Sequence, residues 1–272
     1  MRLGDILSRC LYGTTGYVAD LDDVERLAEV VELSLPVLRQ FSGLVVATNY
    51  ADAQDVALTS ANRDLWRSYF PDCVLLDSPV NRGHSIGTAD LDNLLFHHAK
   101  ATAARWLCKS SNDVTLDGQV LKIPVTPADF YFINAVSYDA ICQHNFDLSA
   151  FEGDGFFFPQ STFWVMDTSR ADKLIDPKFL DASFRLVGRI PDYNGRIWEH
   201  LPGWSCEYLL RQAVLRNGLT RCSLLDADQW HTVLELTVAR HLTDCSLKGI
   251  SVNGICHVQG LDDPARPLSV VD

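Results

Sequence analysis

Residues 105–113 read RWLCKSSND, a short apolar run that ends in Lys109 and a polar stretch that closes on a single carboxylate, Asp113. A loop carboxylate can hold a hard divalent cation through oxygen. It can equally close a turn, because Ser, Asn and Asp bond readily to nearby backbone. Upstream, Asn81, Gly83 and Gly87 punctuate a loop that runs into a helix. Bare amides at a helix start attract phosphate, and Arg82 and Lys109 add cations near the same place. Glycine also serves any tight turn, and each cation can be an ordinary solvated charge. Downstream, Glu207 falls in the first turn of a helix, a position the macrodipole favours for any carboxylate.

The elements that must position these residues alternate along the first half. Residues 22–41 open with acidic side chains and carry Leu27, Val31 and Leu35 at four-residue spacing, which predicts a helix. Pro36 is expected to kink or end it early. LVVAT (44–48) reads as a first, buried strand and residues 53–69 as a helix. CVLLD (73–77) follows as the next strand, then an amphipathic helix over about 88–103 carrying Leu91, Leu94, Leu95, His98 and Thr102 on one face. RWLCK (105–109) and DFYFINAV (129–136) continue as strands on either side of the polar loop SSNDVTLDG. Such alternation predicts a parallel sheet whose ligands sit beyond the carboxyl ends of its strands. Thr48–Asn49, Asp77–Gly87 and Ser110–Asp113 then share one rim. FFFPQSTFWVMD (156–167) suggests paired strands, and residues 204–217 a helix closed by Gly218. After about residue 246 the periodicity is weak.

The order N-x-G…G, helix, strand, short acidic signature resembles the nucleotide-sugar half of GT-A glycosyltransferases, broadly those similar to family 2 and to related viral and bacterial sugar transferases. Asn81, Gly83 and Gly87 match the loop, and Ser111-Asn112-Asp113 stands at the acidic D-x-D signature, with Ser111 in place of its first acid. The resemblance covers roughly residues 43–225. It implies an α/β fold of GT-A (Rossmann-like) type: a mixed, mainly parallel sheet flanked by helices, with an irregular C-terminal acceptor-side region. One domain would span 1–272, with a nucleotide-sugar-binding half over about 43–137 and an acceptor-side half over about 138–272. Thr48, Asn49 and Asp77 would cradle the nucleoside, and Asn81, Arg82, Gly83, Gly87, Lys109 and Asn112 the rest of the donor. Asp113, with His231 as second ligand, would hold Mn²⁺ or Mg²⁺ on the diphosphate. Glu207 would be the base that takes the acceptor's proton, with Asp192 and Glu199 as substitutes. Gln160, Thr162 and Trp204 would face the sugars.

Composition narrows the partners. The net charge is −12, from 23 basic against 35 acidic residues, and no basic stripe suits a nucleic-acid backbone. The eight cysteines include no C-x-x-C pair, and residues 1–17 lack a signal-peptide core. Reduced thiols and a cytoplasmic location are therefore expected, with no transmembrane segment. The partners expected are a nucleoside-diphosphate sugar and a glycan or other hydroxyl acceptor. Two other readings stay open: a nucleotidyltransferase making a nucleotide sugar, and a degenerate nucleotide-sugar- or glycan-binding domain, the latter because of Ser111.

Overall fold

The structure, a computed structural model, describes residues 1–52, 54–78, 84–153, 155–187, 205–242, 248–259, 261 and 263–271. The main sheet contains β1 (Cys10–Val18), β2 (Gly43–Tyr50), β3 (Val74–Asp77), β4 (Trp106–Ser111), β6 (Phe130–Asn134), β7 (Pro159–Asp167) and β8 (Arg221–Ser223). Their order is β3-β2-β1-β4-β7-β6-β8. β3, β2, β1 and β4 run parallel, β7 is antiparallel to both neighbours, and β6 and β8 are again parallel. This is the mixed, mainly parallel sheet with flanking helices that was expected.

Both faces are covered, as the alternation within β2 requires. Leu44 and Val46 join a core with α2 (Leu21–Leu38), α3 (Val56–Tyr69) and α8 (Ala227–Arg240). Val45 and Ala47 point to the opposite core, with α4 (His84–Ala101), α6 (Pro177–Val187) and α7 (Cys206–Arg216). Two further short helices, α1 (Gly4–Leu7) and α5 (Tyr138–Gln143), add Ile6, Leu7 and Ile141 to the first core.

Four local differences from the sequence reading have physical causes. The strand at 43–50 is second in the chain, because β1 precedes it and lies between β2 and β4. Its Gly13, Thr14, Thr15 and Gly16 dilute the apolar signal of a central strand. Helix α2 runs through Pro36 to Leu38. The carbonyl that loses its partner belongs to Glu32, an exposed residue, where solvent can replace the missing N–H. FFFPQSTFWVMD forms one strand rather than a pair, starting at Pro159, where a missing N–H is tolerated.

The fourth difference is the C-terminal tail. It builds a second sheet in the order β11-β9-β10-β5, from β5 (Val114–Leu116), β9 (Ile250–Val252), β10 (Ile255–His257) and β11 (Ser269–Val271). Between β9 and β10, Asn253 and Gly254 both take positive φ (51° and 76°), as a two-residue Asn-Gly hairpin turn requires. All seven described cysteines are free thiols. Among the described residues no helix is long and apolar enough to cross a membrane.

Candidate functional site

Strand order reverses between β1 and β4: β2 and β3 extend the sheet to one side of β1, and β4 lies on the other. In open α/β sheets the crevice beyond the carboxyl ends at such a point is where ligands bind. The register lines the crevice up. Thr15 pairs with Ser111, Gly16 with Thr48, Tyr17 with Asn49, and Thr48 with Asp77. The strand ends of the expected rim therefore meet, joined by Thr14–Tyr17 of β1, which the sequence reading passed over.

The chain past β4 is tied down at once. The Asn112 amide donates to the Thr15 carbonyl (2.8 Å). Its side chain lies over Gly16 so closely that a Cβ there would come within 2.3 Å of Nδ2. Asp113 follows, and its Oδ2 is 3.0 Å from Nε2 of His257. His257 is buried at the end of β10, opposite Val114. The Val258 amide also donates to the Asp113 carbonyl (2.8 Å). Burial pushes the Asp113 carboxyl up, but the charge and hydrogen bond of His257, with a backbone hydrogen bond and the Lys109 charge, together hold it below the usual carboxylate range. Asp113 Oδ1 is buried and has no hydrogen-bond partner among the described residues.

The expected second ligand, His231, is elsewhere engaged. On an exposed stretch of α8 its Nδ1 meets Glu152 (2.6 Å) and its Nε2 meets Glu235 (3.2 Å). The histidine beside Asp113 is His257, brought there by the Asn253-Gly254 hairpin. The signal was present in ISVNGICHV, two short apolar runs around Asn-Gly. Among the described residues no three His, Cys, Asp or Glu side chains form a closed metal cage. Asp113 and His257 are the side chains here that could hold a divalent cation, leaving the rest of its shell to other ligands. The orphaned Oδ1 fits that use.

Gly254 is essential to this arrangement on two counts. Its φ is positive, and a Cβ would fall 2.2 Å from Asp117 Oδ1. Gly254→Ala should destabilise the fold by about 1–3 kcal/mol through local strain. It should also shift the His257 ring resonances, and a combined melting and NMR comparison checks both effects.

Lys109, expected to face the donor, points instead into the protein and is fully buried. Its Nζ donates to the Ser161 carbonyl and to Ser111 Oγ (3.2 Å), and lies 3.5 Å from Asp92 Oδ1 on α4. Burial pushes the Asp92 carboxyl up to about 6; the Lys109 charge offsets this only in part, and Glu207 adds to it. Glu207, in the first turn of α7, accepts from Ser161 Oγ (2.6 Å) at Oε1, and Cys206 Sγ lies 3.3 Å from the same oxygen. Ser205 caps that helix by accepting from the Tyr208 amide.

The nucleoside-side candidates form their own network. Asp77 pairs with Arg63 and accepts from Tyr50 Oη (3.2 Å). Asn62 Nδ2 donates to Tyr50 Oη (2.9 Å) and to Thr48 Oγ1 (3.3 Å). Asn49 is buried. Gln160 is buried and Thr162 half-buried on β7, and Gly87 is buried near the start of α4. Asn81, Arg82, Gly83, Asp192, Glu199 and Trp204 lie outside the described residues.

No family model matches the chain, and no curated protein matches it. Solved structures similar to it include the mannosyltransferase Ktr4p from S. cerevisiae, at 10% identity over 69% of this chain and 64% of that one, with TM-score 0.38. The chain thus spans just under two thirds of that enzyme's length in this alignment. The same enzyme in complex with GDP aligns at 9% identity over 78% of this chain and 69% of that one, with TM-score 0.42. A nucleoside-diphosphate-sugar pyrophosphorylase from Vibrio cholerae RC9 aligns at 7% identity over 78% and 90%, with TM-score 0.40.

Proposed function

We propose that the protein is a glycosyltransferase that moves a sugar from a nucleoside-diphosphate donor to a hydroxyl acceptor, with inversion at the anomeric carbon. The observation that carries this reading is a chain of direct contacts that links the end of β4, next to Asp113, to a second, differently held carboxylate, Glu207. Asp113 is held with His257 beside the switch point, and Glu207 is pinned at a helix start, with Lys109 bonded to residues on both sides. A carboxylate kept ionised beside an imidazole suits the cation on a diphosphate, and a separately held carboxylate suits proton transfer.

In this reading Asp113 and His257 hold Mn²⁺ or Mg²⁺. Once bound, the cation supplies charge stabilisation to the diphosphate that leaves. Asn112, fixed over Gly16 between the ends of β1 and β4, forms the floor on which the diphosphate rests. Thr48, Asn49 and the Asp77 network flank the nucleoside. Glu207 accepts the proton of the acceptor hydroxyl as its oxygen bonds to the anomeric carbon and the bond from that carbon to the diphosphate oxygen breaks.

A panel of nucleoside-diphosphate sugars, with and without Mn²⁺ and with Asp113→Ala as a second arm, tests the proposal. Slow donor hydrolysis that needs both the cation and Asp113 is expected. Pyrophosphate-dependent formation of a nucleoside triphosphate would make the protein a nucleotidyltransferase instead. Tight donor binding with neither hydrolysis nor transfer would favour a binding domain.

A further inference from the structure

Lys109 does more than the proposed reaction asks of a residue that meets no substrate. It is fully buried, and Asp92, its counter-ion, is 3% exposed. A buried ion pair contributes little net stability, since apolar residues of similar volume often serve as well. What distinguishes this one is where the ammonium directs its hydrogen bonds. One goes to Ser111 on β4, beside the diphosphate floor, and another to the backbone of Ser161 on β7. The hydroxyl of that same Ser161 donates to Glu207 (2.6 Å), so each link from Lys109 to the carboxylate is a direct contact. Ser161 is 5% exposed, so the Lys109–Ser161 part of the chain is buried, and Glu207 at its far end is half-buried.

We propose that Lys109 and Ser161 are positioning residues: the buried ammonium locks β7 against β4, and Ser161 sets the orientation of the Glu207 carboxylate relative to the donor. This rests on the reading of Glu207 as base. Neither residue touches substrate; both act through Glu207. The Lys109–Asp92 pair also carries stability, so the positioning role is read at Ser161, where loss of the contact changes turnover at constant stability and donor affinity.

Ser161→Ala and Ser161→Thr are the variants of choice, because each is small and leaves the ion pair intact. Ser161→Ala should lower kcat by roughly ten- to hundredfold, the scale of a slightly misplaced catalytic group. Donor KM and melting temperature should stay near wild type, and Ser161→Thr, which keeps the hydroxyl, should recover most of the loss. In a Glu207→Gln background, Ser161→Ala should lower kcat no further, since residues acting through one another are not additive. Asp92→Asn with Lys109→Met, which removes the pair together, should reproduce the Ser161→Ala defect.

Wild-type kcat in Ser161→Ala, or a further loss in the Glu207→Gln background, overturns the positioning role while leaving the base reading intact. Near-normal transfer by Glu207→Gln overturns the base reading. A crystal structure of Ser161→Ala gives an answer independent of activity. The Glu207 carboxylate should leave its wild-type position, and an unmoved carboxylate overturns the proposal.

Discussion

Glu207→Gln is expected to lower sugar transfer by about 10²–10⁴-fold, the usual contribution of a general base. The amide is nearly isosteric and can still accept from Ser161 Oγ, so α7, its Ser205 cap and the packing on β7 should survive. What disappears is the capacity to take a proton at neutral pH. Donor affinity should therefore hardly change, and single-turnover kinetics beside a donor titration separates the two quantities. A properly folded Glu207→Gln protein with near-normal turnover would remove Glu207 from the chemistry. Asp192 and Glu199 would be tested next.

Lys109→Met should have the largest effect on stability, about 3–5 kcal/mol at pH 7, because it leaves Asp92 buried without its cation. The pH dependence carries a definite sign. The folded Asp92 carboxyl lies near 6, above its ordinary value of 3.8, so between those pH values the folded state binds more protons than the unfolded one. Its contribution to stability is greatest below about pH 4, falls as pH rises to about 6, and is constant above that. Removing Lys109 pushes Asp92 higher still. The deficit of Lys109→Met should then be full at pH 8 and narrow toward pH 5, as the orphaned carboxyl takes up a proton. Denaturant melts of wild type and variant at both pH values check this. A deficit independent of pH would mean that lost packing, not the uncompensated charge, causes the effect. Asp92→Asn combined with Lys109→Met should regain most of the stability.

The sequence carried much of the architecture because most core strands announce themselves by branched apolar runs. LVVAT, CVLLD, RWLCK and DFYFINAV all become strands of the main sheet, and the helices between them begin and end within a few residues of expectation. β1 stayed hidden because its central position demands small residues rather than large apolar ones: Leu95 of α4 lies against Gly13, and Asn112 against Gly16. The C-terminal sheet stayed hidden because β9, β10 and β11 are each three residues long, too short to show a period.

Within the candidate site, Asp113 was visible in local sequence as the carboxylate that closes a polar loop after a buried strand, a pattern a simple turn shares. Its neighbour was not. His257 lies 144 positions away in sequence and reaches Asp113 only through the pairing of β10 with β5. His231 drew attention through the short-range company of Trp230, yet Trp230 turns inward to donate to the Phe151 carbonyl while His231 faces Glu152. Lys109 misled for the opposite reason. A lysine before an acidic loop reads as a surface cation, and only the tertiary approach of Asp92 and Ser161 allows it to be buried.

The place where a diphosphate binds is the most direct test, and a crystal structure with a nucleoside diphosphate and Mn²⁺ measures it. The diphosphate is expected beyond the carboxyl ends of β1 and β4, with the cation on Asp113 and His257 and the nucleoside toward Thr48 and Asn49. Diphosphate density anywhere else on the chain, or at this crevice with Asp113 still bonded only to His257 and no cation on either, would contradict it.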